Sequence, residues 1–306
     1  MKVATHDGSF HADEVFALAA LSLLDGPIEI VRTRDPAALA GADARVDVGF
    51  ASDPATGDFD HHQKGGAGER ENGVRYASFG LVWREYGARL CDGDADVAAR
   101  VDFSLVQGVD ANDTGQELTV PLLDDVRQMT VSGVIGGLNR RWDEALTPAE
   151  ERARFEEALA IATSIIQREI ASAAAQQRAV RLVADAVAAA RDPRVIVLDR
   201  DVPWKEVVVT RAPEALFVVY PKRQGWGIEA VPRELGSFAN RRDLPAAWAG
   251  LDGPDLARLT GVDDAVFAHA KRFLAVARSR EGIAALTEQA LADGDGGGPT
   301  GRNPVG

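Results

Sequence analysis

Five histidines occur in the 306-residue chain, and four of them precede residue 63. Two stand side by side in "GDFDHHQKGG", residues 57–66, behind an aspartate. The residues able to do chemistry fall into four clusters: His6 with His11 and Asp13; Asp47; Asp60 with His61 and His62; and Asp110 with Asp113. Imidazole nitrogen mixed with carboxylate oxygen suits manganese, iron or zinc better than calcium. So many carboxylates suggest two ions, bridged by one aspartate at a separation of about 3.5–4 Å, able to activate water and neutralise phosphoryl oxygens. A lone His–Asp pair is more often a cap or turn, and Asp110 and Asp113 taken singly read as turn residues. The accumulation of clusters points to a metal site. The fifth histidine, His269 in "VFAHAKRF", reads as a core residue on an apolar strand. No Ser-His-Asp or Cys-His unit competes, and there is no HExxH zinc-protease motif.

These side chains need a scaffold. "KVATH" (2–6), "IEIVRT" (28–33) and "ARVDVGF" (44–50) read as strands, and "ADEVFALAALSLL" (12–24) as a helix. The alternation predicts an α/β layer with a largely parallel sheet, where sites gather at the carboxyl ends of strands. Helical pattern follows over 76–109 and again around 122–143. "TPAE" (147–150) forms a capping box, and helical composition then runs to Arg191 as a long helix or helical hairpin joining two domains. Beyond it, "RVIVLD", "EVVVT", "ALFVVYP" and "WGIEAVP" read as strands, followed by shorter helices. The expected organisation is a catalytic domain over 1–146, a helical connector over 147–192, a smaller α+β domain over 193–287 and a flexible tail over 288–306.

The net charge of −13 argues against a protein that coats nucleic acid indiscriminately. Residues 193–287 carry 14 Lys and Arg against 12 Asp and Glu, so the acidity lies elsewhere. That asymmetry suits a metal site facing a phosphate-binding surface, and equally suits scattered solvated charge. A single cysteine, Cys91, excludes internal disulfides and fits a reducing compartment; it is expected on the apolar face of a helix. Without an apparent membrane span or signal peptide, the expected location is cytoplasmic.

The spaced series "THDGSFHADE", "VRTRDP", "VDVG", "DFDHHQ", "YASFGLVW" and "VDANDTG", continued by "PWKE", "GSF", "RRDLPAAWAGL" and "VFAHAKRF", resembles the melanocyte-proliferating-gene exonuclease family. That family belongs to the DHH phosphoesterase-like group, and the resemblance covers almost all of residues 2–285. It implies a DHH-like parallel-sheet domain with metals in a cleft, and 3′→5′ exonuclease activity on RNA or oligonucleotides. On this reading Asp47 bridges two divalent ions, Mn²⁺ rather than Mg²⁺, and His6, His11, Asp13, Asp60, His61 and Asp110 complete their ligands. His62 lies against the phosphate as donor or general acid, with Asp113 a weaker candidate behind the ligands. Arg241, Arg242, His269 and Lys271 hold the neighbouring phosphates. The wider group usually has two aspartates after its first histidine, where this chain has His11 and Asp13. The alternatives are a hydrolase of a small phosphorylated molecule, of pyrophosphate or cyclic-dinucleotide type, and a metal-binding protein without turnover.

Overall fold

The computed structural model describes residues 1–123 and 125–295. The chain divides into two compact units, Met1–Ala175 and Gln176–Gly306. In the first, β1 (Lys2–Thr5) leads to α1 (Ala12–Asp25), β2 (Glu29–Arg32), the short α2 (Pro36–Ala40) and β3 (Ala44–Val46). Two brief strands follow, β4 (Ser52–Asp53) and β5 (Asp58–Phe59). The sheet order is β2-β1-β3-β5-β4, parallel except for the antiparallel edge strand β4. The expected largely parallel layer is present. The two-residue strands β4 and β5 are too short to show a period in sequence.

Helix α1 is apolar on nearly every side, and Val15, Phe16, Ala17, Leu18, Ala19, Ala20 and Leu21 are all buried. A helix apolar all round belongs inside a core. It packs against α3 (Ser78–Leu90), with the rings of Phe16 and Phe79 5.3 Å apart. Next, α4 (Ala95–Val101), a π-helical turn over Asp102–Val106 and α5 (Gln107–Asp113) form one helical run. Among the described residues of 122–143 only α6 (Val131–Gly136) is helical, which corrects the longer helical expectation. Gly133 and Gly136 are poor helix formers that keep α6 short, and Gly137 caps its end. Helix α7 (Pro148–Ala188) is a single helix rather than a hairpin, and Thr147 and Glu150 make the expected reciprocal cap.

The second unit contains β6 (Val195–Val197), α8 (Lys205–Arg211), β7 (Phe217–Lys222), β8 (Gly225–Ala230), α9 (Gly253–Thr260), β9 (Ala265–Ala268), β10 (Leu274–Ala277) and α10 (Arg280–Asp295). Its sheet runs β6-β7-β8-β10-β9, antiparallel apart from the β6–β7 pair. "EVVVT" was expected as a strand and is helix α8. Burial of Val207 and Val208 in a local core with Trp204 overrides the β preference of the valine run. Helix α10 extends through residues 288–295 of the expected tail, and 296–306 lie outside the described residues. Among the described residues no helix is long and apolar enough to cross a membrane.

Candidate metal centre

Strand register assembles the site. Thr5 pairs with Val46, and Val46 with Phe59, across three adjacent parallel strands. The next residues along those strands are His6, Asp47 and Asp60, followed by His61 and His62. Neighbouring strands lie about 4.8 Å apart, so residues remote in sequence share one edge of the sheet. Asp47 holds this place with φ at +56°, in the left-handed region that aspartate tolerates better than most residues. The first turn of α1 adds Asp13 and Glu14, with His11 at its N-cap, and the end of α5 adds Asp113.

The ligand-type atoms converge. His6 Nε2 lies 3.0 Å from Glu14 Oε1 and 3.3 Å from Asp47 Oδ2. His61 Nε2 lies 3.0 Å from Asp113 Oδ2, 3.2 Å from Asp47 Oδ1 and 3.8 Å from Asp13 Oδ2. His11 Nδ1 is 3.6 Å from Asp113 Oδ1. Among the described residues, three groups have candidate ligand atoms within 4.8 Å of one another: His6, His11, Glu14 and Asp47; Asp47, His61 and His62; and His11, Asp13 and Asp113. Asp47 belongs to two of them and His11 to two.

The donor set fits divalent cations on an independent ground. His6 Nε2, His61 Nε2, Asp13 Oδ1 and Asp47 Oδ2 are buried and lack a hydrogen bond of acceptable geometry. Buried polar atoms left unpaired are costly, and a cation satisfies all four. His6 Nδ1 lies 3.0 Å from the Asp7 carbonyl, an arrangement that leaves Nε2 as the metal-facing atom of the neutral ring. Without a cation, protons hold the charge. Burial opposes the His6 imidazolium, but Asp47 and Glu14 push its pKa up to about 10. Burial likewise opposes that of His61, and Asp113 and Asp47 push it up to about 10. Asp47 raises His62 to about 9, and Asp60 adds to the effect. Burial would raise Asp47, yet His6, His61 and His62 hold it far below the usual carboxylate range. Burial and then the charges of Asp47, Glu14 and Asp113 drive Asp13 upward.

Two of the expected ligands, Asp60 and Asp110, meet protein groups. Asp60 Oδ1 accepts from the His62 amide (3.0 Å) and lies 2.8 Å from His62 Nδ1, while Oδ2 accepts from the Phe50 amide (2.6 Å). It orients the His62 ring, whose side chain is half exposed. Asp110 accepts from the Gly80 amide at 2.9 Å and pairs with buried Arg70 at 2.8 Å. Both carboxylates face protein groups, Asp110 Oδ2 through an ion pair without a hydrogen bond of acceptable geometry, and Asp113 meets His61 and His11. Glu14, absent from the sequence-based set, carries a signal in "HADE": three residues after an N-cap, its carboxylate accepts the His11 amide. Ser78, at the start of α3, is also new to the site; its hydroxyl donates to Asp47 Oδ1 at 3.3 Å.

The expected phosphate-binding residues belong to the second unit, where two are already occupied. The Arg241 guanidinium donates to the carbonyls of Val209, Ala212 and Ala215, at 2.6–2.9 Å, closing the C-terminal end of α8. Arg242 donates to the Leu291 carbonyl at 3.2 Å. His269 lies in the turn after β9 rather than within a strand; its ring sits 4.4 Å from Phe273 and its Nδ1 accepts the Lys271 amide. Lys271 is exposed.

Comparison with known proteins covers nearly the whole chain. Residues 2–291 match the model of the MYG1 exonuclease family, described as an uncharacterised protein family (UPF0160). The chain is 31% identical to the human MYG1 exonuclease over 95% of this chain and 86% of the relative. It is 30% identical to an MYG1 protein of Saccharomyces cerevisiae, over 95% of this chain and 96% of the relative. A Caenorhabditis elegans MYG1 protein is also 30% identical, over 99% and 97%. The chain belongs to the MYG1 exonuclease family.

Proposed function

We propose that this protein is a divalent-metal-dependent phosphodiesterase that acts as a 3′→5′ exonuclease on RNA or short oligonucleotides. The observation that carries the reading is the meeting of four buried ligand-type atoms that lack a well-formed hydrogen bond, on His6, Asp13, Asp47 and His61, at the carboxyl edge of a parallel sheet. The relatives named exonuclease support the nuclease class. Two ions, manganese before magnesium given the imidazoles, would be held by His6, His11, Asp13, Asp47, His61 and Asp113, with Asp47 common to both. When bound, they supply an activated water and positive charge against the phosphoryl oxygens.

The chain's own groups then have distinct tasks. Asp60 holds His62 by Nδ1 and leaves its Nε2 to meet substrate, so His62 donates a hydrogen bond or proton to a phosphate oxygen. His6 is held by the Asp7 carbonyl with Nε2 directed at Glu14 and Asp47. The amide of Ser78 donates to Asp13 and its hydroxyl to Asp47, keeping those carboxylates in place as charge changes around them. His269 and Lys271 remain available as phosphate contacts; Arg241 serves the fold.

The test is a screen of metals against substrates. RNA and DNA oligonucleotides labelled at either end, pyrophosphate and cyclic dinucleotides are each incubated with Mn²⁺, Mg²⁺ or EDTA. Stepwise shortening of RNA from its 3′ end with Mn²⁺, abolished by EDTA, is expected. Turnover confined to pyrophosphate or cyclic dinucleotides overturns the exonuclease assignment. Metal uptake without any turnover leaves a binding protein.

A further inference from the structure

The turn leaving β3 contains a residue that neither packing nor backbone preference explains. Phe50 has φ at +58°, two residues beyond Val48 and directly after Gly49 at +105°. Glycine takes this region freely, whereas a bulky residue there is a strained outlier. Burial does not compensate, because Phe50 is 73% exposed. Strain of this kind persists where surrounding structure enforces it, and it gathers at functional sites.

The enforcing contact is Asp60. Its Oδ2 accepts the Phe50 amide at 2.6 Å, and its own amide donates to the Ala51 carbonyl at 3.0 Å. Its Oδ1 lies 2.8 Å from His62 Nδ1, which in turn is 3.2 Å from Asp47. One carboxylate, only 1% exposed, thus fixes both the backbone of an exposed phenyl ring and the half-exposed imidazole beside the metal ligands. The Phe50 amide is thus one carboxyl group away from the histidine assigned to the phosphate, and its exposed ring stands on that turn.

We infer that Phe50 is the platform on which the nucleobase of the cleaved nucleotide stacks. This rests on the nuclease reading and deepens it: the substrate is held by its base as well as by its phosphate. A single aromatic face reads no base edge, so the platform accepts all four bases and distinguishes nucleotides from base-free phosphodiesters.

The experiment compares wild type, Phe50→Ala, Phe50→Tyr and Phe50→Gly on two oligoribonucleotides, one intact and one abasic at the attacked end. Stacking contributes on the order of ten- to hundred-fold in binding. The ratio of kcat/KM on intact to abasic substrate should therefore fall by about that factor in Phe50→Ala and stay near wild type in Phe50→Tyr. Phe50→Gly should lose the same ratio while raising Tm, because glycine relieves the left-handed strain. An unchanged ratio in Phe50→Ala overturns the platform, as does an equal loss in Phe50→Tyr. If wild type cleaves neither oligonucleotide, the phosphodiesterase reading has failed. The platform is then judged by fluorescence anisotropy of the labelled intact oligonucleotide, where equal affinity of wild type and Phe50→Ala overturns it.

Discussion

Replacing Gly80 by alanine tests whether Asp110 is held for the fold rather than for a metal. Within helices alanine is favoured over glycine by about 1 kcal/mol, so propensity alone predicts a more stable protein. The structure predicts the reverse. A Cβ at position 80 would fall 1.8 Å from Asp110 Oδ2 and 2.9 Å from Arg70 Nη2. The carboxylate must leave, losing both the Gly80 amide and the Arg70 ion pair. Breaking a buried pair costs about 3–5 kcal/mol. Arg70 keeps its two-pronged contact with Asp102, at 2.7 and 3.0 Å, which favours the lower end. Set against the helix gain, a net loss of about 2–4 kcal/mol is expected. Gly108 supplies the contrast: it is exposed in α5, and nothing lies within 4 Å of its would-be Cβ. Gly108→Ala should stabilise by about 1 kcal/mol. Urea unfolding of both variants, with metal removed by chelation so that ligand linkage does not mask the difference, reads the two signs. If Gly80→Ala matches or exceeds wild type, Asp110 is not locked against Arg70 and returns as a candidate ligand.

Asp113→Asn should lower bound manganese, measured by elemental analysis, and Asp47→Asn should remove turnover from a folded protein; wild-type metal content in both would break the ligand assignment. The chelated protein should lose stability as pH rises from about 7 towards 10 and regain it on adding Mn²⁺. The raised pKa values of His6, His61 and His62 contribute stability that is complete below their ordinary value of 6.5 and lost as pH passes about 9–10. Because a cation needs these rings neutral, its binding should release protons, seen in calorimetry as a heat that varies with buffer ionisation. Arg241→Ala should cost about 2–4 kcal/mol through three orphaned carbonyls, with manganese content unchanged; an equally stable variant would return Arg241 to the substrate-binding candidates. Cys91→Ala, at a buried thiol whose pKa burial pushes up to about 11, should cost about 1–2 kcal/mol and spare turnover, checked by urea unfolding and the oligonucleotide assay.

What could be read from the sequence was whatever short-range chemistry dictates. The strand endings before His6 and Asp47 are marked by apolar runs that stop at polar residues, and the Thr147 cap is written in four letters. What could not be read depends on partners distant in sequence. Asp110 and Asp113 stand three apart on one helical run, so spacing gives both the same claim to a metal. Arg70 decides between them: its guanidinium takes Asp110, which leaves Asp113 to face His61. Asp60 is decided similarly, because the turn at Phe50 brings an amide to one oxygen while His62 claims the other. Arg241, expected at phosphate, meets backbone carbonyls for a related reason. The valine run ahead of it folds as α8, and a helix end presents carbonyls that need donors. Once that stretch is a helix and not a strand, the arginine has a structural employer. A charged residue's role is thus fixed by the backbone and charge it meets.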